Sequence, residues 1–121
     1  MRREQRLQRR SDFDAVFRKG QRISRGVLAL RVLERGDDAP GRFGFAISSR
    51  LGGAVVRNRI RRRLRESARR IDARGLDVVV IARTGAAQAS FQELDRTLTQ
   101  LLRRLHERPP RRRSPREDGR S

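Results

Sequence analysis

Eight arginines crowd the fourteen residues from Arg57 to Arg70, RNRIRRRLRESARR. Each guanidinium presents five donors in a plane, a fork that grips phosphate oxygens in pairs, so such a run is suited to holding a polyanion. Through the same stretch Val56, Ile60, Leu64, Ala68 and Ile71 recur at spacings of 4, 4, 4 and 3. At about 3.6 residues per turn this is one stripe of a helix, which buries against a core and leaves the arginines outside. Arg57, Arg61 and Arg65 stand one turn apart. That is about 6 Å of rise, close to the spacing of successive phosphates along a strand. Nucleic acid is the polyanion that fits.

The rest of the chain supplies little other chemistry. There is no cysteine, which excludes a disulfide framework, a thiolate nucleophile and cysteine-based zinc sites, and fits a reducing cytoplasm. His106 is the single histidine. No pair of carboxylates has a recognisable acid–base spacing, and no glycine-rich phosphate loop is present, so neither a catalytic residue nor a metal ligand is expected on the protein. The chain carries 32 basic against 14 acidic residues, a formal charge of +18. Lys19 is the only lysine, and genome composition could explain arginine over lysine, but not the excess of basic over acidic residues. Binding to a polyanion should weaken steeply with salt, with a log–log slope of roughly 0.9 per phosphate on duplex and about 0.7 on single strands.

The elements that must position this helix read as follows. In a chain of 121 residues one domain over 1–108 is expected, followed by a basic, proline-broken tail at 109–121 that is too polar to order itself. Ser11 is placed to cap a short helix that sets Phe13, Val16 and Phe17 at i, i+3 and i+4, with Gly20 as its stop. Residues 21–24 and 27–34 read as strands. So do 42–49, where Phe43, Phe45 and Ile47 alternate with the small Gly44, Ala46 and Ser48, leaving that face room for something else. The arginine helix is expected over 54–71, ending near Gly75. A strand at 76–83 follows, whose VVVIA run lacks polar alternation and argues for cover on both sides. Ser90 and Glu93 form a capping box for a last helix carrying Leu94, Leu98, Leu101, Leu102 and Leu105. The order αβββαβα is that of a two-layer α+β domain. The N-terminal MRREQRLQRR lacks a following apolar region, and the run from Val78 to Ala82 is too short to cross a bilayer, so no membrane partner is expected. DNA is not expected either, because the arginine helix leads directly into a strand and lacks the mixed Asn, Gln and Arg set that reads base edges.

Taken in order, Arg6-Leu7, the helix from Phe13 to Phe17, Gly20, Phe43-Gly44-Phe45, Ser48, GGAVVRNRIRR at 52–62 and DVVVIAR at 77–83 resemble the bacterial ribonuclease P protein subunit, over roughly 6–105. That resemblance implies the fold of the second domain of ribosomal protein S5, with a four-stranded mixed sheet. It also implies an activity: such proteins bind a large catalytic RNA, and the complex, an endoribonuclease, hydrolyses precursor tRNA to remove the 5′ leader. Chemistry would belong to the RNA and its Mg²⁺ ions, the protein positioning substrate and screening phosphate repulsion.

By resemblance, Arg57, Asn58, Arg59, Arg61, Arg62 and Arg65 contact the catalytic RNA. Asn58 could instead make a local hydrogen bond at the start of the helix. A cleft for the leader is implied between the first helix and the sheet, with Phe13 and Phe17 as stacking surfaces and Arg31, Ser48 and Arg50 beside them. Both phenylalanines could equally be core residues. Departures from the family pattern are Arg31 at a commonly aromatic position, Ser49 at a lysine-like one, Gly53 in place of asparagine and Arg63 at an apolar one. Guanidinium stacking by Arg31 would replace ring stacking and add salt dependence. A ribosomal or RNA-assembly protein without nuclease activity would share the charge and size, and stays open as an alternative.

Overall fold

The computed structural model describes residues 5–107. The expected tail at 109–121 lies outside them. Helix α1 (Arg10–Lys19) leads into strands β1 (Gln21–Arg25), β2 (Leu28–Glu34) and β3 (Arg42–Ile47). Helix α2 (Ala54–Ala68), strand β4 (Leu76–Ala82) and helix α3 (Phe91–Glu107) complete the order. The sheet runs β1-β2-β4-β3, antiparallel except for the parallel pair of β3 with β4. It is the α+β domain anticipated from the element order, with the mixed four-stranded sheet that the resemblance implies.

Alternation along the strands sorts the side chains to two faces. Leu28, Leu30 and Val32 of β2, Phe43 of β3 and Val78 and Val80 of β4 point to one face, where they meet Ile60 and Leu64 of α2 and Leu94, Leu98, Leu101 and Leu102 of α3. Each such buried side chain contributes about 1.5–3 kcal/mol. On the opposite face Val79, Ile81, Ala46 and Leu33 meet Leu7, Phe13 and Val16. Strand β4 is therefore covered on both sides, as its unbroken apolar run requires. The face of β3 that its small residues leave free is partly filled by α1. A Cβ on Gly44 would clash with the Phe13 ring, so only glycine admits the ring at that place.

Several boundaries differ from the sequence reading. Ser11 lies within α1 and Arg9 occupies its N-cap without a side-chain hydrogen bond. Strand β1 extends to Arg25, β2 begins at Leu28 rather than 27, and β4 stops at Ala82. Strand β3 stops at Ile47, because Ser48 turns the chain into a short 3₁₀ helix, Ser49–Leu51. Helix α2 ends at Ala68 instead of 71; a tightened last turn, with the Ile71 N–H donating to Ala68 O at 3.0 Å, still brings Ile71 onto the core. Ser90 does cap α3, its Oγ accepting from the Glu93 N–H at 3.1 Å.

One buried acid ties the sheet to its connections. Asp77, 3% exposed, accepts from Arg42 Nε at 2.8 Å and NH2 at 2.7 Å, and from Arg35 NH1 at 2.6 Å. Arg35 also donates to Asp37 and to the carbonyls of Leu76, Ala39 and Pro40. Burial pushes the Asp77 carboxyl up, but the hydrogen bonds and charges of Arg42 and Arg35 outweigh it and hold the group below the usual carboxylate range.

Candidate nucleic-acid interface

The arginine helix starts from a glycine-dependent turn. Gly52 has φ 146°, and a Cβ there would lie 2.8 Å from the Val56 side chain, so the close turn into α2 excludes other residues. The Gly52 carbonyl accepts from Arg57 Nε at 3.2 Å, which fixes the root of that side chain. Ser48 Oγ accepts from the Arg50 N–H at 3.1 Å; Ser48 and Arg50 are both exposed beyond the end of β3.

With Ile60, Leu64, Ser67 and Ala68 turned to the core, the helix period distributes the arginines over distinct flanks. Arg57, Arg61 and Arg65 form one row. Asn58 and Arg62 are exposed, and Arg59 is half-buried. Asn58 makes the local hydrogen bond left open above, but one turn onward: its Oδ1 accepts from Arg61 NH1 at 3.1 Å. Arg63 donates to the Ala89 carbonyl at 2.8 Å and so fastens α2 to the segment before α3.

The row of Arg61 and Arg65 faces a groove of about 380 Å³ beside β3, shared with Phe13, Phe45 and Arg6. Leu7 and Arg6 reach it because the N-terminal segment runs beside Phe43, the Leu7 N–H donating to Phe43 O at 2.9 Å. Arg65 Nε is buried and has no hydrogen-bond partner among the described residues. The groove therefore combines aromatic surface with guanidinium groups, which is what a single strand of nucleic acid requires for its bases and its phosphates.

The two phenylalanines differ in exposure. Phe13 is half-buried against Gly44, whereas Phe17 is 38% exposed. The Arg31 guanidinium lies 5.9 Å from the Phe17 ring centre, within cation–π range. Phe13, Phe17 and Arg31 thus gather where α1 crosses the sheet, while Ser48 and Arg50 lie at the end of β3. Arg6 and Phe45 were not singled out as site residues. The alternation of Phe43, Gly44 and Phe45 carried the signal, since a glycine between two aromatic residues marks a close approach on the opposite face.

Among the described residues no group of three or more His, Cys, Asp or Glu side chains could hold a metal ion, and no helix is long and apolar enough to cross a membrane.

Comparison with known proteins matches residues 1–106 to the Ribonuclease P family model. The Ribonuclease P protein component of Acidothermus cellulolyticus is 47% identical over 83% of this chain and 87% of its own length. That of Gluconacetobacter diazotrophicus is 39% identical over 84% and 91%. Among solved structures, a Staphylococcus aureus RNase P protein mutant with defective mRNA degradation activity aligns with a TM-score of 0.78 at 25% identity, covering 85% of this chain and 89% of that one. The Thermotoga maritima RNase P protein aligns with a TM-score of 0.74 at 29% identity, covering 82% and 96%. Fold, motif order and sequence agree: this chain belongs to the ribonuclease P protein family.

Proposed function

We propose that this chain is the protein subunit of a ribonuclease P ribonucleoprotein, which cuts precursor tRNA endonucleolytically to remove the 5′ leader and leave a 5′-phosphate on the mature end. The observation that carries the reading is the groove beside β3, where Phe13 from one face of the sheet and Arg61 and Arg65 from the other line a single channel. A leader strand laid there stacks a base on an aromatic ring, a contact worth roughly 1–3 kcal/mol that tolerates any base. Its phosphates meet arginine. Phe17 with Arg31 continues the stacking surface, and Ser48 and Arg50 meet phosphates beyond it.

The outward flank of α2, with Arg59, Arg62 and Asn58, faces the catalytic RNA, and Arg57 stands between the two RNAs. In this division Arg61 and Arg65 serve both partners: they hold the leader strand against the ribozyme and lower the repulsion between two polyanions. Hydrolysis is left to the catalytic RNA, with Mg²⁺ bound by that RNA and the substrate. No membrane or DNA partner enters this scheme. The compartment we propose is the cytoplasm, where such a complex meets its transcripts.

The test is processing. Purified protein is added to the catalytic RNA at low Mg²⁺ and 5′ cleavage of a precursor tRNA is followed. Stimulation over RNA alone is expected; tight binding to ribosomal RNA with no stimulation would overturn the assignment in favour of an assembly protein.

A further inference from the structure

Arg42 is the junction between the buried acid of the sheet and the helix that carries the two phenylalanines. Its Nε and NH2 are fixed on the two Asp77 oxygens at 2.8 and 2.7 Å, a bidentate arrangement that sets the plane of the guanidinium. The remaining nitrogen, NH1, lies 3.5 Å from Asp12 Oδ2. Asp12 is on α1, next to Phe13. The Phe13 ring in turn occupies a place open only because residue 44 is a glycine, so a small displacement of α1 moves the ring out of contact.

We propose that Arg42 is a positioning residue for the leader site: anchored on Asp77, it holds α1 through Asp12 and so fixes the Phe13 ring at the groove. The proposal rests on reading that groove as the leader site. It assigns a substrate-facing consequence to residues that touch no substrate. Lysine cannot replace the arginine, because a single ammonium cannot keep both Asp77 oxygens and reach Asp12 in the same geometry.

The holoenzyme, assembled from the full chain and the catalytic RNA, is tested for binding of precursor and mature tRNA at fixed Mg²⁺ and ionic strength. Asp12→Asn leaves the Arg42–Asp77 pair in place, and Arg42→Lys leaves Asp12 in place. The half-exposed Asp12–Arg42 pair sets a modest scale, so Asp12→Asn is expected to weaken precursor binding about threefold and leave mature tRNA binding unchanged. Arg42→Lys should shift the same ratio at least as far, read at a temperature where its melting curve shows a folded protein.

In a Phe13→Ala background Asp12→Asn should have no further effect, since both act through one ring. Equal losses on the two tRNAs, or additive losses in the double variant, would overturn the positioning role. The leader reading has its own control. If Phe13→Ala and Phe17→Ala leave the precursor-to-mature ratio unmoved, that reading fails and the role of Arg42 falls with it; if they move it and Asp12→Asn does not, only the role of Arg42 falls.

Discussion

Arginine does opposite work in two regions of this molecule. Around Asp77 it is saturated: Arg35 and Arg42 meet the carboxylates of Asp77, Asp37 and Asp12 and several carbonyls. Along α2, among the described residues, Arg57, Arg59, Arg61, Arg62 and Arg65 form no ion pair with a carboxylate, whereas Arg69 and Arg70 nearby pair with Glu66 and Asp95. The same side chain thus closes the fold in one place and is left without an acid partner in the other. What separates them is the placement of acids. A guanidinium beside a buried carboxylate has its donors satisfied within the chain, while one with no carboxylate paired to it carries counterions that a phosphate can release.

The largest effect should come from breaking the saturated region. Asp77→Ala leaves two half-buried guanidinium groups facing one another, and breaking a buried pair from one side costs about 3–5 kcal/mol. The low end is expected here, because Arg35 keeps Asp37 and three carbonyls. Urea unfolding measures it, and a loss below about 1 kcal/mol would show that the network is dispensable. The same group predicts a direction with pH. Its carboxyl is held below the ordinary value in the folded chain. Its contribution is then fully present above the unfolded value of about 4 and is lost as pH falls through the folded one. Acid melting curves of the unaltered chain should therefore steepen below about pH 4, and those of Asp77→Ala should lack that component.

Next in size is Phe17→Ala, which tests whether α1 serves substrate as well as core. With the ring 38% exposed, stability should change little, while precursor affinity falls by the roughly 1–3 kcal/mol of a lost stacking contact. Equal loss of mature tRNA binding, measured by titration against the assembled ribonucleoprotein, would return Phe17 to the fold. Arg61→Ala then isolates the unsaturated region. Stability should stay within about 0.5 kcal/mol, and the salt slope of RNA binding should fall by about 0.7–0.9. A stability loss with an unchanged slope would erase the distinction between the two kinds of arginine.

How much of this was open to a reader of the sequence depends on the range of the interaction. The stripe of Ile60, Leu64 and Ala68 and the leucines of α3 were legible, because a helix repeats its environment every 3.6 residues. Ser90 was legible as a cap for the same local reason. Ser11 was not, since α1 begins one residue before it, at Arg10, and its position is settled by Phe13 against Gly44 and Asp12 against Arg42. The Asp77 network was invisible: its arginines lie 42 and 35 residues away along the chain, and no local pattern joins them. The division of the arginines into flanks was half legible. Spacing put Arg57, Arg61 and Arg65 in one row, but only the packed sheet shows that Arg61 and Arg65 share a groove with Phe13.

The smallest effect concerns the start of α2. Gly53 occupies the N-cap with φ −76° and makes no side-chain hydrogen bond, so the first N–H groups of the helix lack the oxygen that Ser, Asp or Asn would supply. A Cβ placed there meets nothing within 4 Å. Gly53→Asn should therefore be accommodated without strain and should stabilise the chain by a few tenths of a kcal/mol through the cap. Thermal melting should rise by a few degrees while the salt slope of RNA binding stays fixed, since no charge has changed. No rise would mean that water already satisfies those N–H groups as well as an amide does. A changed slope would mean that the helix start is held differently once RNA is bound, so that the turn at Gly53, and not charge alone, sets how the α2 arginines meet phosphate.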